Sequence, residues 1–322
     1  MHAAVGPRLL VYSGPEEARA TVEQVVAPHL EVVWVEPVRD AVAEALRGAT
    51  AFLDASMKVR IDAGMIADAA ELRVITIATT GADHIDASAL ALRDIPLFTL
   101  AGQREVLQRL TAAAEHSWLL LMACARRLRA AWEDVLDGGW NRVEFPGVML
   151  RGRVLGLIGC GRIGGCMARY AQAFDMTVVG HDPGLAVFPS GVRRVPLEEL
   201  MATADFISVH VPLNEHTRQL VDRDCFARVK PGSIFINTSR GEVADERALL
   251  EALESGRLAA AGLDVLAGEP EVADHPLRLY AMTHANLIIT PHIGGFSPDA
   301  VRIAVEHAAR RALDYLGATR ER

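Results

Sequence analysis

The stretch GLIGCGRIGGCMARYAQAFDMTVVGHDP, residues 156–183, constrains the fold more than any other part of the chain. An apolar run stops at Gly159, and Gly161 and Gly164 complete a GxGxxG pattern. Helical spacing begins there, and a second apolar run then closes on Asp182. Each glycine has a cause. The first permits a tight turn, the second lets backbone approach a pyrophosphate, and the third lets helix and strand pack closely. A helix that starts at such a turn offers free N–H groups and the positive end of its dipole to phosphate. Asp182 stands where a carboxylate can accept both hydroxyls of an adenosine ribose. It would repel a 2′-phosphate, so NAD is expected over NADP, with Arg193 and Arg194 read as surface charges.

Composition narrows the partners. With 322 residues, two domains are expected, and a hydrophobic share of 51% suffices for real cores. The 41 acids outnumber the 33 bases and no basic block occurs, which argues against nucleic acid. Cys124, Cys160, Cys166 and Cys225 form neither a disulfide framework nor a metal-binding pattern, so no metal is expected. The opening MHAAVGPRLLVYSG lacks the features of a signal peptide, and no apolar run is long enough for a membrane helix. The expectation is a soluble cytoplasmic protein with reduced thiols.

Short apolar runs alternate with helical stretches along both halves. Residues 8–13, 31–36, 50–56, 73–79 and 95–100 read as one strand series. Residues 153–159, 177–182, 206–212, 233–239, 260–265 and 286–290 read as a second. Such alternation predicts α/β architecture, with two doubly wound parallel sheets. Between the series the spacing predicts a nearly unbroken helix over 104–135, apolar enough around Trp118–Ala125 to need burial between domains or subunits. Further helices are predicted over 217–229 and 245–255. A last helix follows Ser297 as N-cap and Pro298 at its first position.

Three more stretches put chemistry at strand ends of the second series. NTSRGEV places Arg240, AGLDVLAGEP places Asp264 and Glu269, and TPHIGG places His292. Strand ends of one parallel sheet converge on the crevice that receives a dinucleotide. An arginine, a carboxylate and a histidine beside a nicotinamide suit a 2-hydroxy or 2-oxo acid.

The ordered set GCGRIGG, HVPLNEHT, KPGSIFINTSRGEV, GLDV, GEP and TPHIGG resembles the D-isomer-specific 2-hydroxyacid dehydrogenases. TTGADHID and TAAAEHSW are similar to a phosphoglycerate dehydrogenase-like branch, whereas LAGQREVLQRL departs from its shorter loop and carries Arg104 and Arg109. The resemblance implies a flavodoxin-like substrate domain, residues 1–103 and 289–322, interrupted by a Rossmann NAD-binding domain, residues 104–288, in a homodimer. It implies that Arg240 binds substrate, that His292 is the acid/base and that Glu269 is its partner. NAD contacts would fall on Gly159, Gly161, Arg162, Ile163, Gly164 and Asp182, then on His210, Pro212 and Thr217. They would continue through Thr238, Ser239, Asp264 and Gly294. Thr79, Thr80, Gly81 and Ala82 match the loop for the substrate carboxylate.

The expected reaction is hydride transfer between NADH and C2 of a small 2-oxo acid, with His292 moving the proton and Arg240, which keeps its charge, polarising the oxo group. Formate dehydrogenase would show a glutamine where this chain has Glu269. A corepressor-like NAD sensor without turnover would show a damaged catalytic trio, and here the trio is intact.

Overall fold

A computed structural model describes residues 9–318. Arg8, expected to open the first strand, and the first eight residues of the stretch read for a signal peptide lie outside the described residues. The chain forms two compact units, one reaching Leu110 and resuming at Ser297, the other spanning Thr111–Phe296.

The first unit holds β1 (Leu9–Ser13), β2 (Glu31–Val35), β3 (Ala51–Asp54), β4 (Val74–Ile77) and β5 (Leu97–Phe98). All pair in parallel, in the order β2-β1-β3-β4-β5. The central strands β3 and β4 are buried along their whole length, as strands covered by helices on both faces must be. One face packs on Val22, Val26 and the small side chains Ala308, Ala309 and Ala312 of the last helix, Pro298–Ala318. The other packs on Val42, Leu46, Ile66 and Leu90. The Ser297 hydroxyl accepts from Ala300 N at 3.2 Å, the N-cap read from the sequence.

The second unit holds β6 (Val154–Ile158), β7 (Thr177–His181), β8 (Val192–Arg194), β9 (Phe206–Val209), β10 (Ser233–Asn237), β11 (Leu258–Leu263) and β12 (Leu287–Ile289). These run in parallel in the order β12-β11-β10-β9-β6-β7-β8. Strand order reverses between β6 and β9, which opens a crevice at their C-terminal ends. Phe226 and Phe235 pack edge to face at 5.3 Å within one core layer, and Leu121, Leu157 and Met167 help build the other.

The structure corrects several expectations. The helix predicted over 104–135 is three helices, Arg104–Gln108, Ala112–Ala125 and Leu128–Leu136. The second break falls at Arg127, whose φ of 49° is left-handed although no glycine or proline marks it. The apolar helix Ala112–Ala125 packs against β10, β11 and the helix Arg162–Ala173 within its own unit. The helix predicted over 217–229 is confined to Arg223–Arg228, because a turn built on Asn214 and Thr217 precedes it. β8 was not predicted, and its two arginines belong to a short edge strand. The compact units join at Leu110–Thr111 and at Phe296–Ser297. Val106, Leu107 and Leu110 pack on the first unit's core, while Ile293 and Gly294 are bound to Asp264 in the second.

Among the described residues, no helix is long and apolar enough to cross a membrane.

Candidate active site

The glycine turn follows β6. Gly159 has φ 91°, and a Cβ there would stand 2.6 Å from the His210 carbonyl oxygen, so neither conformation nor space admits a side chain. Gly161 is the N-cap of Arg162–Ala173, a helix that no side chain caps. A Cβ on Gly161 would meet nothing within 4 Å. The glycine therefore answers no packing need of the chain itself. It leaves open space in front of the first-turn N–H groups of Arg162, Ile163 and Gly164, which is what a pyrophosphate requires.

Asp182 lies one residue past β7. Its Oδ2 accepts from Cys160 N at 2.9 Å and its Oδ1 from Gly184 N at 3.1 Å. The carboxylate thus ties the end of β7 to the glycine turn and is held at a fixed height beside it. Across the turn, His210 follows β9, with Nε2 2.9 Å from the Ser208 hydroxyl. Its Nδ1 is enclosed without a partner among the described residues, and burial pushes the imidazole down to about 3, which favours the neutral ring. Pro212 and Thr217 form an adjacent turn, in which the Thr217 hydroxyl donates to Pro212 O at 2.6 Å.

At the end of β10 the Asn237 side chain folds the next turn. Its Oδ1 accepts from the backbone and hydroxyl of Ser239, and its Nδ2 donates to Arg240 O at 2.9 Å. The Thr238 hydroxyl lies 2.7 Å from that of Ser117. Arg240 is half-buried, and its guanidinium donates to Ser239 O at 2.7 Å.

Asp264 closes β11 and organises the segment that carries His292. Its Oδ1 accepts from the Thr290 hydroxyl at 2.6 Å and from Ile293 N at 2.9 Å, its Oδ2 accepts from Gly294 N at 2.7 Å, and its carbonyl accepts from His292 N at 2.8 Å. Burial would raise this carboxyl, but hydrogen bonds from His116, Thr290, Gly294 and Ile293 outweigh it and hold the group below the usual carboxylate range. His292 has φ 54°, a left-handed conformation that is costly for a residue with a side chain. The bonds to Asp264 hold it there. Its Nδ1 meets Glu269 Oε1 at 2.5 Å, which leaves Nε2 as the ring atom free to exchange a proton.

The loop Thr79–Ala82 belongs to the first unit and follows β4. The Thr79 hydroxyl donates to Gly81 O at 2.8 Å, and the Thr79 carbonyl accepts from Leu100 N at 2.9 Å. Thr80 is exposed, and Gly81 and Ala82 are half-buried. Nearby, Asp54 is almost fully buried, accepts from Ser56 N and Met57 N, and lies 2.7 Å from His84 Nε2. Arg104 and Arg109 are both exposed.

The structure thus brings together two groups of the expected residues in the second unit. One is Asp182 with the glycine turn, and the other is Asp264, Gly294, His292 and Glu269. Sequence reasoning missed His116 and Thr290. Because the Thr290 hydroxyl donates to Asp264, its oxygen accepts from His116 Nε2, 2.8 Å away. The available signal was a histidine at the start of a largely apolar helix.

The open space at Gly161 yields a sharp expectation. Gly161→Ala should fold with an unchanged melting temperature yet lose about tenfold or more in NADH affinity by fluorescence titration. Retained affinity would place the pyrophosphate elsewhere.

The family profile described as "D-isomer specific 2-hydroxyacid dehydrogenase, NAD binding domain" matches residues 118–294. The D-3-phosphoglycerate dehydrogenase of Mycobacterium tuberculosis (strain ATCC 25618 / H37Rv) is 36% identical over 275 residues, 84% of this chain and 50% of that protein. The chain therefore spans about half the length of such curated relatives. The hydroxypyruvate reductase of Thermotoga maritima is 36% identical over 243 residues, covering 76% of this chain and 77% of the relative. In three dimensions, the crystal structure of TT0316 protein from Thermus thermophilus superposes with a TM-score of 0.81 at 34% identity, covering 98% of this chain and 97% of the other. The chain belongs to the D-isomer-specific 2-hydroxyacid dehydrogenase family, and its second unit carries that family's NAD-binding domain.

Proposed function

We propose that the protein is an NAD-dependent oxidoreductase that interconverts a small D-2-hydroxy acid and its 2-oxo acid. The observation that carries this reading is the 2.5 Å contact between His292 Nδ1 and Glu269 Oε1, at strand ends of the sheet that bears the glycine turn. Family membership supports the same chemistry, and the intact trio disfavours a non-catalytic NAD sensor.

Bound NAD supplies or accepts the hydride. The chain's residues do the rest. The first-turn N–H groups of Arg162, Ile163 and Gly164 would hold the pyrophosphate, and Asp182 would take the adenosine ribose hydroxyls. In the reducing direction, hydride arrives at C2 while His292 Nε2 gives its proton to the oxo oxygen, so the product leaves as a neutral hydroxyl. Glu269 stabilises the cationic ring before transfer and fixes its orientation through Nδ1. Arg240 stays protonated throughout and stabilises the negative charge that develops on oxygen. General acid catalysis of this kind contributes about 10²–10⁴ in rate.

The assembly we infer is a homodimer. The segment after the helix Ala112–Ala125 exposes Leu128 (53%), Trp132 (64%), Leu136 (68%) and Trp140 (88%), an apolar surface suited to a second copy. Light scattering should read a two-chain mass, and a single-chain mass would remove this assignment. Free thiols at all four cysteines suit the cytoplasm.

Steady-state assays of a panel of 2-oxo acids with NADH test the reaction class, and an absence of NADH oxidation across the panel would sink it. On the acid turned over best, Arg240→Lys should lower kcat/KM by about tenfold or more while NADH affinity holds, because lysine keeps the charge but not the planar donor pair. An equal loss of NADH affinity would make Arg240 a cofactor or structural residue.

A further inference from the structure

Glu269 sits in a loop that regular structure leaves unsupported between Ala267 and His275, and both ends of that loop converge on one half-buried carboxylate. Glu246 Oε1 accepts from Ala267 N at 3.0 Å, and Glu246 Oε2 lies 3.0 Å from His275 Nε2. His275 Nδ1 accepts from Leu277 N at 3.3 Å, where the residue caps the helix Pro276–Ala281. With Nδ1 accepting, the proton of a neutral ring sits on Nε2 and is donated to Glu246. Both partners are only 14% exposed. Between these ends the backbone bonds are short-range turns, Glu269 N to Leu266 O, Glu271 N to Gly268 O and His275 N to Val272 O. Arg278 adds one bond, to Ala273 O at 2.7 Å.

The same place also governs the turn that carries Arg240. A Cβ on Gly241 would collide with the backbone of Leu266 and Ala267, so the Ser239–Gly241 turn and the start of the Glu269 loop lie in direct contact. Glu246 therefore fixes the loop where it abuts that turn, as well as where it ends.

Burying a carboxylate is costly. Burial raises the Glu246 carboxyl, against the lowering effect of the Ala267 N–H and His275, and Glu242 raises it further. Sequestered charged groups are weak contributors to stability compared with apolar packing, and a better-attested use is to specify one geometry. Here the geometry served is the Glu269–His292 contact, at 2.5 Å. A displacement of about 1 Å would break it as a hydrogen bond.

We propose that Glu246 and His275 are positioning residues that clamp both ends of the loop 267–275 and so set Glu269 against His292. The proposal rests on the reading of Glu269 and His292 as the acid/base pair.

The test uses the 322-residue chain with Glu246→Ala, Glu246→Gln, His275→Asn and the double variant Glu246→Ala/His275→Asn. On the best 2-oxo acid, Glu246→Ala and His275→Asn should each lower kcat about tenfold or more, with KM and NADH affinity within about twofold. The primary isotope effect on kcat with 4-deuterated NADH should rise as chemistry becomes limiting. Asparagine still caps the following helix, so His275→Asn separates the clamp from the cap. The double variant should be no worse than Glu246→Ala, which already removes both ties, whereas His275→Asn removes only the one at the loop's far end. Glu246→Gln, which can accept at only one of its two positions, should fall between, and it carries the test with His275→Asn if Glu246→Ala fails to fold. Wild-type kcat and isotope effect in these variants, with only the melting temperature lowered, would overturn the clamp. If the wild type turns over no 2-oxo acid, the acid/base reading fails separately. The clamp is then read from the His292 ring signals in NMR spectra, which should move in Glu246→Ala in the direction seen for Glu269→Gln. Unmoved signals would overturn it.

Discussion

The site depends on one buried carboxylate at the end of a strand. The Asp264 side chain receives Thr290, Ile293 N and Gly294 N, with His116 Nε2 3.3 Å from its Oδ1, and its carbonyl receives His292 N. These bonds do two things together. They satisfy a charge that would otherwise be too costly to bury, and they hold His292 at φ 54°. His116 extends the network by donating to Thr290 from a helix far away in sequence. Strain at His292 is thus maintained by a network whose own stability requires the charge on Asp264.

A second constraint is the narrow passage at Gly159, where β6 turns under the His210 carbonyl at the point of strand reversal. Parallel sheets leave a crevice there because the crossover helices depart to opposite faces. The glycine turn fills the floor of the crevice with backbone alone, and Asp182 is bolted to it through Cys160 N. In the proposed function, the pyrophosphate end of the site is built from main chain and one carboxylate, and the acid/base end from side chains held by other side chains. Errors in the first should appear as lost affinity and errors in the second as lost rate.

Much of this could be read from the sequence, for identifiable reasons. Buried parallel strands such as VLGLI and SIFIN are unbroken apolar runs, and glycine turns announce themselves by spacing. β8 was missed because an edge strand of Val192, Arg193 and Arg194 looks like loop. The break at Arg127 was missed because a left-handed φ at an exposed arginine has no signature in residue type. The motifs located Glu269 and His292, and the resemblance paired them; their contact is present, while their chemical roles remain part of the proposal. His116 with Thr290, and Glu246 with His275, were not legible, since neither pairing follows a periodicity or a local motif.

In the proposed function, His292 and Glu269 act as one proton-transfer unit. Single-turnover oxidation of enzyme-bound NADH by the preferred 2-oxo acid measures that step directly in the wild type, His292→Gln, Glu269→Gln and the double variant. The account predicts a loss of about 10² or more for His292→Gln and a double variant no slower than that single one, because residues that act as a unit are not additive. A His292→Gln rate within about threefold of wild type, or losses that multiply in the double variant, would contradict it.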